Sequence, residues 1–242
     1  MPGPSDRPED LLQRAMSART WSSRERLAKQ GLATHAPLDR TTHAMLLRQL
    51  YLANFEAERF AEALEIVRSA LELGVLPDVL HQDAARAALA QGELDDAVSH
   101  LRSAARRGPA SRRPFHLWTL GSVLFLAQRY EESASALERA VRWGTRDKPL
   151  YRAHLALARL SAGVHVADLQ TTIDELATAP CGQGYGRFVL GHLAYAAGEF
   201  AVARRYLDAF VRRTEGARAA MGIALAGELK MAKATLAKMA PS

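Results

Sequence analysis

Apolar residues recur along this chain at helical spacing, and the pattern they make is itself repeated. Taking Phe60, Leu94, Tyr130, Phe200 and Leu229 as anchors, a small residue follows three positions on, at Ala63, Ala97, Ser133, Ala203 and Ala232. Seven positions on stand Val67, Leu101, Leu137, Leu207 and Leu236, and ten on stand Ala70, Ala104, Ala140, Phe210 and Met239. Offsets of three, seven and ten fall on one face of an α-helix. Each anchor is therefore read as opening a helix whose small residues admit a close neighbour and whose larger ones fill the space beyond.

Just before each anchor lies a short polar stretch: Ala57-Glu58-Arg59-Phe60, Gly92-Glu93-Leu94, Gly198-Glu199-Phe200 and Gly227-Glu228-Leu229, with Gln128-Arg129-Tyr130 as a fifth version. These predict one recurring turn. Upstream of it lies a first helix, at Leu47-Arg48-Gln49-Leu50, Ala84 to Ala88, Leu117 to Gly121 and Phe188 to Leu193. Pro37, Pro77, Pro109, Pro149 and Pro180 fall between the units, where a residue without an amide donor ends a helix.

The anchors are 34, 36, 70 and 29 residues apart, and the interval of 70 is two periods with an anchor missing. Val166, Leu169, Ile173 and Leu176 supply a degenerate unit there, with a shifted hairpin turn at Ser161-Ala162-Gly163. The last stripe, Leu229, Ala232, Leu236 and Met239, carries Lys230, Lys233 and Lys238 outside it and reads as a solubilising cap of the kind a stack of repeats needs at its end. The expectation is an all-α chain. Residues 1–43 form an N-terminal helical segment, with a weaker copy of the unit from Pro8 through Trp21 to Gly31, and residues 44–242 form an array of five to six hairpins.

Composition narrows the function classes. With 242 residues, 48% hydrophobic and 24% charged, the chain can bury a substantial core. The net charge of +6 comes from arginines scattered among acids, with only local pairs such as Arg106-Arg107 and Arg212-Arg213, so nucleic-acid binding lacks a basic block to carry it. The single cysteine, Cys181, has no internal disulfide partner and no Cys/His cluster for zinc. No phosphate loop, nucleophile elbow or HExxH pair occurs, so neither metal, cofactor nor catalytic centre is expected. The start MPGPSDRPEDLLQ is unlike a signal peptide and no long apolar run follows, so no membrane insertion and a cytoplasmic location are expected.

The third unit reads Leu117-x-x-Leu120-Gly121-x-x-Leu124, then Tyr130-x-x-Ser133, Leu137 and Ala140, and the fifth, Leu190-Gly191 to Phe210, is close to it. In these residues the chain resembles the tetratricopeptide repeat family. The small residue typical of repeat position eight is present as Ala85, Gly121 and Gly191, but Tyr51 replaces it in the first clear unit.

The resemblance implies a right-handed superhelical solenoid whose first helices line a concave groove for a protein partner. Repeat positions two, five, nine and twelve face that groove. By this carry-over the candidate contacts are Arg48, Leu52, Phe55, Arg86, Phe115, Trp118, Phe125, Tyr185, Phe188, His192 and Tyr195. In the degenerate unit two registers are open, one turning Arg152 and Arg159 into the groove and the other Tyr151 and His154; the arginine register is the favoured one. Aromatic and arginine side chains dominate binding hot spots. The expected function is a non-enzymatic adaptor or scaffold that holds a peptide or helix with apolar anchors and acidic flanks. The alternatives are a chaperone for a secretion or pilus-assembly component and, further off, an RNA-binding helical repeat. The groove could also be filled in part by the chain itself.

Overall fold

The computed structural model describes residues 7–35, 37–217 and 219–239. The first six residues, on which part of the signal-peptide reading falls, lie outside them. Fourteen α-helices run through the described residues, which hold no strand. They belong to two compact units, Met1–Gly108 and Pro109–Ser242.

The first unit contains three hairpins: α1 (Pro8–Ser17) with α2 (Trp21–Leu32), α3 (Arg40–Glu56) with α4 (Phe60–Glu72), and α5 (Pro77–Ala90) with α6 (Leu94–Arg107). The second contains α7 (Arg113–Leu126) with α8 (Tyr130–Trp143), α9 (Lys148–Ser161) with α10 (Leu169–Thr178), α11 (Gly186–Ala196) with α12 (Phe200–Glu215), and α13 (Ala219–Ala224) with α14 (Ala226–Lys238). The prolines do what their chemistry requires: Pro77 starts α5, Pro149 lies in the first turn of α9, and Pro37, Pro109 and Pro180 fall between helices.

Five hairpins turn in the same way. Glu58, Gly92, Gln128, Gly163 and Gly198 each adopt a left-handed backbone. The next amide then donates to a carbonyl five residues back, as Arg59 to Asn54, Glu93 to Ala88, Arg129 to Leu124, Val164 to Arg159 and Glu199 to Ala194, each at 2.9 Å. This closes the last turn of the first helix and satisfies one of its orphan carbonyls. Glycine takes the position at no steric cost in three of the five.

The helices that follow start at the anchors Phe60, Leu94, Tyr130 and Phe200, and their stripes are buried as the spacing predicts. Ala63, Ala97, Ser133 and Ala203 are fully buried, as are Val67, Leu137 and Leu207, with Leu101 nearly so. The close approach is tightest at the position-eight glycines. A Cβ on Gly121 would stand 2.5 Å from Leu137 Cγ, and one on Gly191 would stand 2.5 Å from Leu207 Cγ. Ser133 seals the third hairpin by donating to the Gly121 carbonyl at 2.7 Å. Where Tyr51 departs from the small-residue pattern, its ring is buried and its hydroxyl donates to the Asp83 carbonyl at 2.9 Å, linking α3 to α5.

Two expectations are corrected. Gly227-Glu228-Leu229 is not a turn: α14 begins at Ala226, so these three residues form its first turn, and Gly227 has no left-handed backbone. The buried line of α14 runs through Glu228, Ala232 and Thr235, while Leu229, Leu236 and Met239 are half-buried. In the degenerate unit, Val166 precedes the helix it was to anchor. Helix α10 starts three residues later, and only Ile173 and Leu176 of the stripe are buried.

Candidate functional site

Each unit presents a first-helix face, and the two faces differ in chemistry. In the first unit the face is built on a buried carboxylate. Asp83, on α5, is 1% exposed and accepts from Arg48 Nε on α3 at 2.6 Å and from Arg86 Nη1, one helical turn along α5, at 3.4 Å. The two arginine side chains remain 25% and 42% exposed, so a single carboxylate holds two cations near the surface with one positive charge in excess. Leu52 lies one turn beyond Arg48 and Leu89 one turn beyond Arg86, and both are partly or well exposed. Phe55 does not join them. It is buried against Tyr51 and Phe60, with ring centroids 5.8 and 5.4 Å away.

In the second unit the face is aromatic and closes on itself. Trp118 on α7 stacks edge-on with Tyr185, centroids 4.8 Å apart, and lies 6.2 Å from Tyr151 and 6.5 Å from His154 on α9. Phe188 and His192 on α11 pack at 4.6 Å, and Phe188 meets Phe210 of α12 at 5.4 Å. A line of polar groups threads this cluster. The Tyr185 hydroxyl lies 3.2 Å from Ser122 Oγ, which lies 3.5 Å from His154 Nδ1. On its other side Tyr185 lies beside the Glu228 carboxyl of α14.

Burial dominates the electrostatics here. Loss of water pushes His154 down to about 3 and His192 down to about 4, so both imidazoles are neutral. The same cause raises the Tyr185 hydroxyl and lifts the Glu228 carboxyl to about 7. Trp118 Nε1, His154 Nε2 and His192 Nε2 are buried without a hydrogen-bond partner among the described residues.

Several candidate contacts therefore lie inside the protein rather than on a binding face. Phe55, Phe125, Phe188 and His192 are 4%, 1%, 0% and 5% exposed, and serve as packing between helices. The arginine register of the degenerate unit is also corrected. Arg152 reaches Glu175 on α10 at 2.8 Å and Arg159 reaches Glu138 on α8 at 2.6 Å, so both turn towards second helices. Tyr151 and His154 point into the first-helix cluster instead. Of the remaining candidates, Phe115 is exposed, and Trp118, Tyr185 and Tyr195 are half-buried.

Sequence reasoning missed two residues that organise these faces. The signal for Asp83 was an acid inside an otherwise alanine-rich first helix. Glu228 had no separate signal, because it sits in a Gly-Glu-Leu triplet identical to the one at the α5–α6 turn.

Residues 83–151 and 188–230 match the family model described as tetratricopeptide repeat. Those two stretches carry tetratricopeptide repeats. The unmatched stretch between the two matches covers most of α9 and all of α10, the unit whose turn and second helix depart from the others. No curated protein matches the chain. Tetratricopeptide repeats generally mediate protein–protein interaction, and the arrangement of consecutive packed hairpins is that of an interaction module. Among the described residues no helix is long and apolar enough to cross a membrane, and no three His, Cys, Asp or Glu side chains are grouped to hold a metal ion.

Proposed function

We propose that the chain is a non-enzymatic adaptor, and that the Arg48–Asp83–Arg86 face of its first unit receives a peptide or helix with apolar anchors and acidic flanks. The observation that supports this reading is the brace itself. Asp83 fixes both guanidinium groups before a ligand arrives, which lowers the ordering cost of binding, yet leaves one cation uncompensated. Arginine presents a planar fork that matches a carboxylate. Leu52 and Leu89 on the same helical faces offer apolar contact beside it. A chaperone-tail ligand fits less well, since the lysine and asparagine of the family's carboxylate clamp are replaced here by Arg48-Gln49 and Gln82-Asp83.

Panning the purified chain against a random peptide library tests the reading. Enriched peptides should pair one or two large apolar residues with acids, and should lose at least about tenfold in affinity to the Arg48→Glu and Arg86→Glu variants, the cost of about one charge-assisted hydrogen bond. Peptides that bind both variants as tightly as the parent chain would remove this face from consideration.

A further inference from the structure

Helix α14 is packed against α12 and α11 and also touches α7, three hairpins earlier in the chain. Its first turn makes that contact: the Gly227 position lies within about van der Waals distance of Leu126 on α7, close enough that a Cβ there would stand 3.1 Å from Leu126 Cδ1. One residue on, Glu228 enters the aromatic cluster and is 6% exposed. It meets Tyr185, which continues to Ser122 and His154.

Among the described residues no cation is paired with this carboxyl. Tyr185 at the start of α11 stands beside it, with Ser122 of α7 and the neutral His154 of α9 and His192 of α11 beyond, and Leu126 of α7 lies against the preceding Gly227. Of the charged groups of α12, Glu215 pairs with Lys233 at 2.6 Å, Arg204 donates to the Met239 carbonyl, and the Arg213 guanidinium lies beside Gly184. Helix α13 contributes no titratable side chain. A buried carboxyl with no cation is tolerated as the neutral acid and opposed as the anion.

We propose that α14 is a pH-sensitive lid on the aromatic face of the second unit, latched by the neutral Glu228 side chain and released when that side chain ionises. This rests on the reading that first-helix faces of this chain are its binding surfaces, and adds how one of them is regulated. What opens is a cluster in which Trp118 Nε1, His154 Nε2 and His192 Nε2 have no partner among the described residues. A peptide segment that offers an apolar side chain and backbone carbonyls has the chemistry to take the place of α14.

The sign follows from burial. The carboxyl is held well above its free value of 4.5, at about 7, in the docked state. The stabilisation it lends to docking is complete below 4.5 and is lost progressively as the pH rises to about 7. In that window each pH unit weakens docking by about tenfold. If opening wets His154 or His192, their imidazoles titrate in part of the same range with the opposite sign, so the carboxyl must be isolated by comparison with Glu228→Gln.

The experiment is amide hydrogen exchange of the full chain from pH 5 to 8, corrected for intrinsic amide chemistry and read on residues 229–236, with α7 and α11 amides as internal controls. The ratio of protection in Glu228→Gln to protection in the parent chain should rise about tenfold per pH unit from 5 to 7 and then level. Glu228→Ala should show the same pH dependence of the ratio, whatever its absolute stability. A ratio that is constant with pH in both variants would overturn the lid. Because this readout contains no ligand, peptides that bind Arg48→Glu and Arg86→Glu as tightly as the parent chain would sink the proposed function while leaving the lid standing, and the reverse outcome separates them equally well.

Discussion

Gly121 is the place where the close packing of these hairpins can be tested most sharply, because two opposing effects of known size meet there. Replacing it with alanine adds a methyl to the middle of α7, which on propensity alone favours the helix by about 1 kcal/mol. The added Cβ, however, would stand 2.5 Å from Leu137 Cγ and 2.8 Å from its Cδ2, well inside contact distance, and Leu137 is fully buried with little room to move. Overpacking of this kind costs about 1–3 kcal/mol, so Gly121→Ala should be destabilising despite the propensity gain. Leu137→Ala should by itself cost about 2–5 kcal/mol through lost burial and a residual cavity. In that background the clash is gone, and Gly121→Ala should now stabilise by about 1 kcal/mol. The sign of one substitution thus reverses with the residue opposite it. Urea unfolding followed by tryptophan fluorescence is the assay, since Trp118 and Trp143 both report on the second unit. A Gly121→Ala chain that gains stability with Leu137 in place would show that the glycine is not there to admit the second helix.

The His154 and His192 side chains are held far below the usual imidazole value by burial, so the unfolded chain binds more protons than the folded one beneath pH 6.5. The urea midpoint of the second unit should fall as pH drops from 6.5 to 5, at about 1.4 kcal/mol per pH unit for each imidazole and partly offset by Glu228, and His154→Leu should make the decline shallower; an unchanged slope would refute the burial argument. Ion pairs should sort by exposure. Asp83→Ala should cost about 2 kcal/mol, since it removes a 1% exposed acceptor from two arginines, whereas Glu175→Ala should change stability by less than about 0.5 kcal/mol because both side chains of its pair with Arg152 are more than 40% exposed. Equal effects of the two in denaturant titration would contradict that ordering.

The hairpins were legible in the sequence because their determinants are local. A left-handed turn residue, an anchor two positions on and a small residue three beyond it fix where a second helix starts and which face it buries, and four second helices begin at the expected residue. The same pattern failed at Gly227-Glu228-Leu229, where nothing local distinguishes a turn from the first turn of a helix. There the start of α14 lies against Leu126, a hundred residues earlier. The binding face was less legible for a related reason. Helical spacing gives the direction in which Phe55, Phe125, Phe188 and His192 point, but not whether another helix already covers them. In α9 the two registers differ by a single position, and the salt bridges to Glu138 and Glu175 that choose between them join residues more than twenty apart.

The two faces illustrate how one repeat pattern accommodates polar atoms in opposite ways. In the first unit the buried acid sits beside two arginines whose far ends remain in water, so its charge is compensated and the face stays hydrated. In the second unit the buried acid belongs to α14 and meets a hydroxyl and neutral imidazoles, so it is stable there only while protonated. An uncompensated carboxyl lifted to about 7 is sensitive to pH near neutrality. The chemistry around each carboxyl, rather than the repeat that carries it, therefore decides how each buried acid is accommodated.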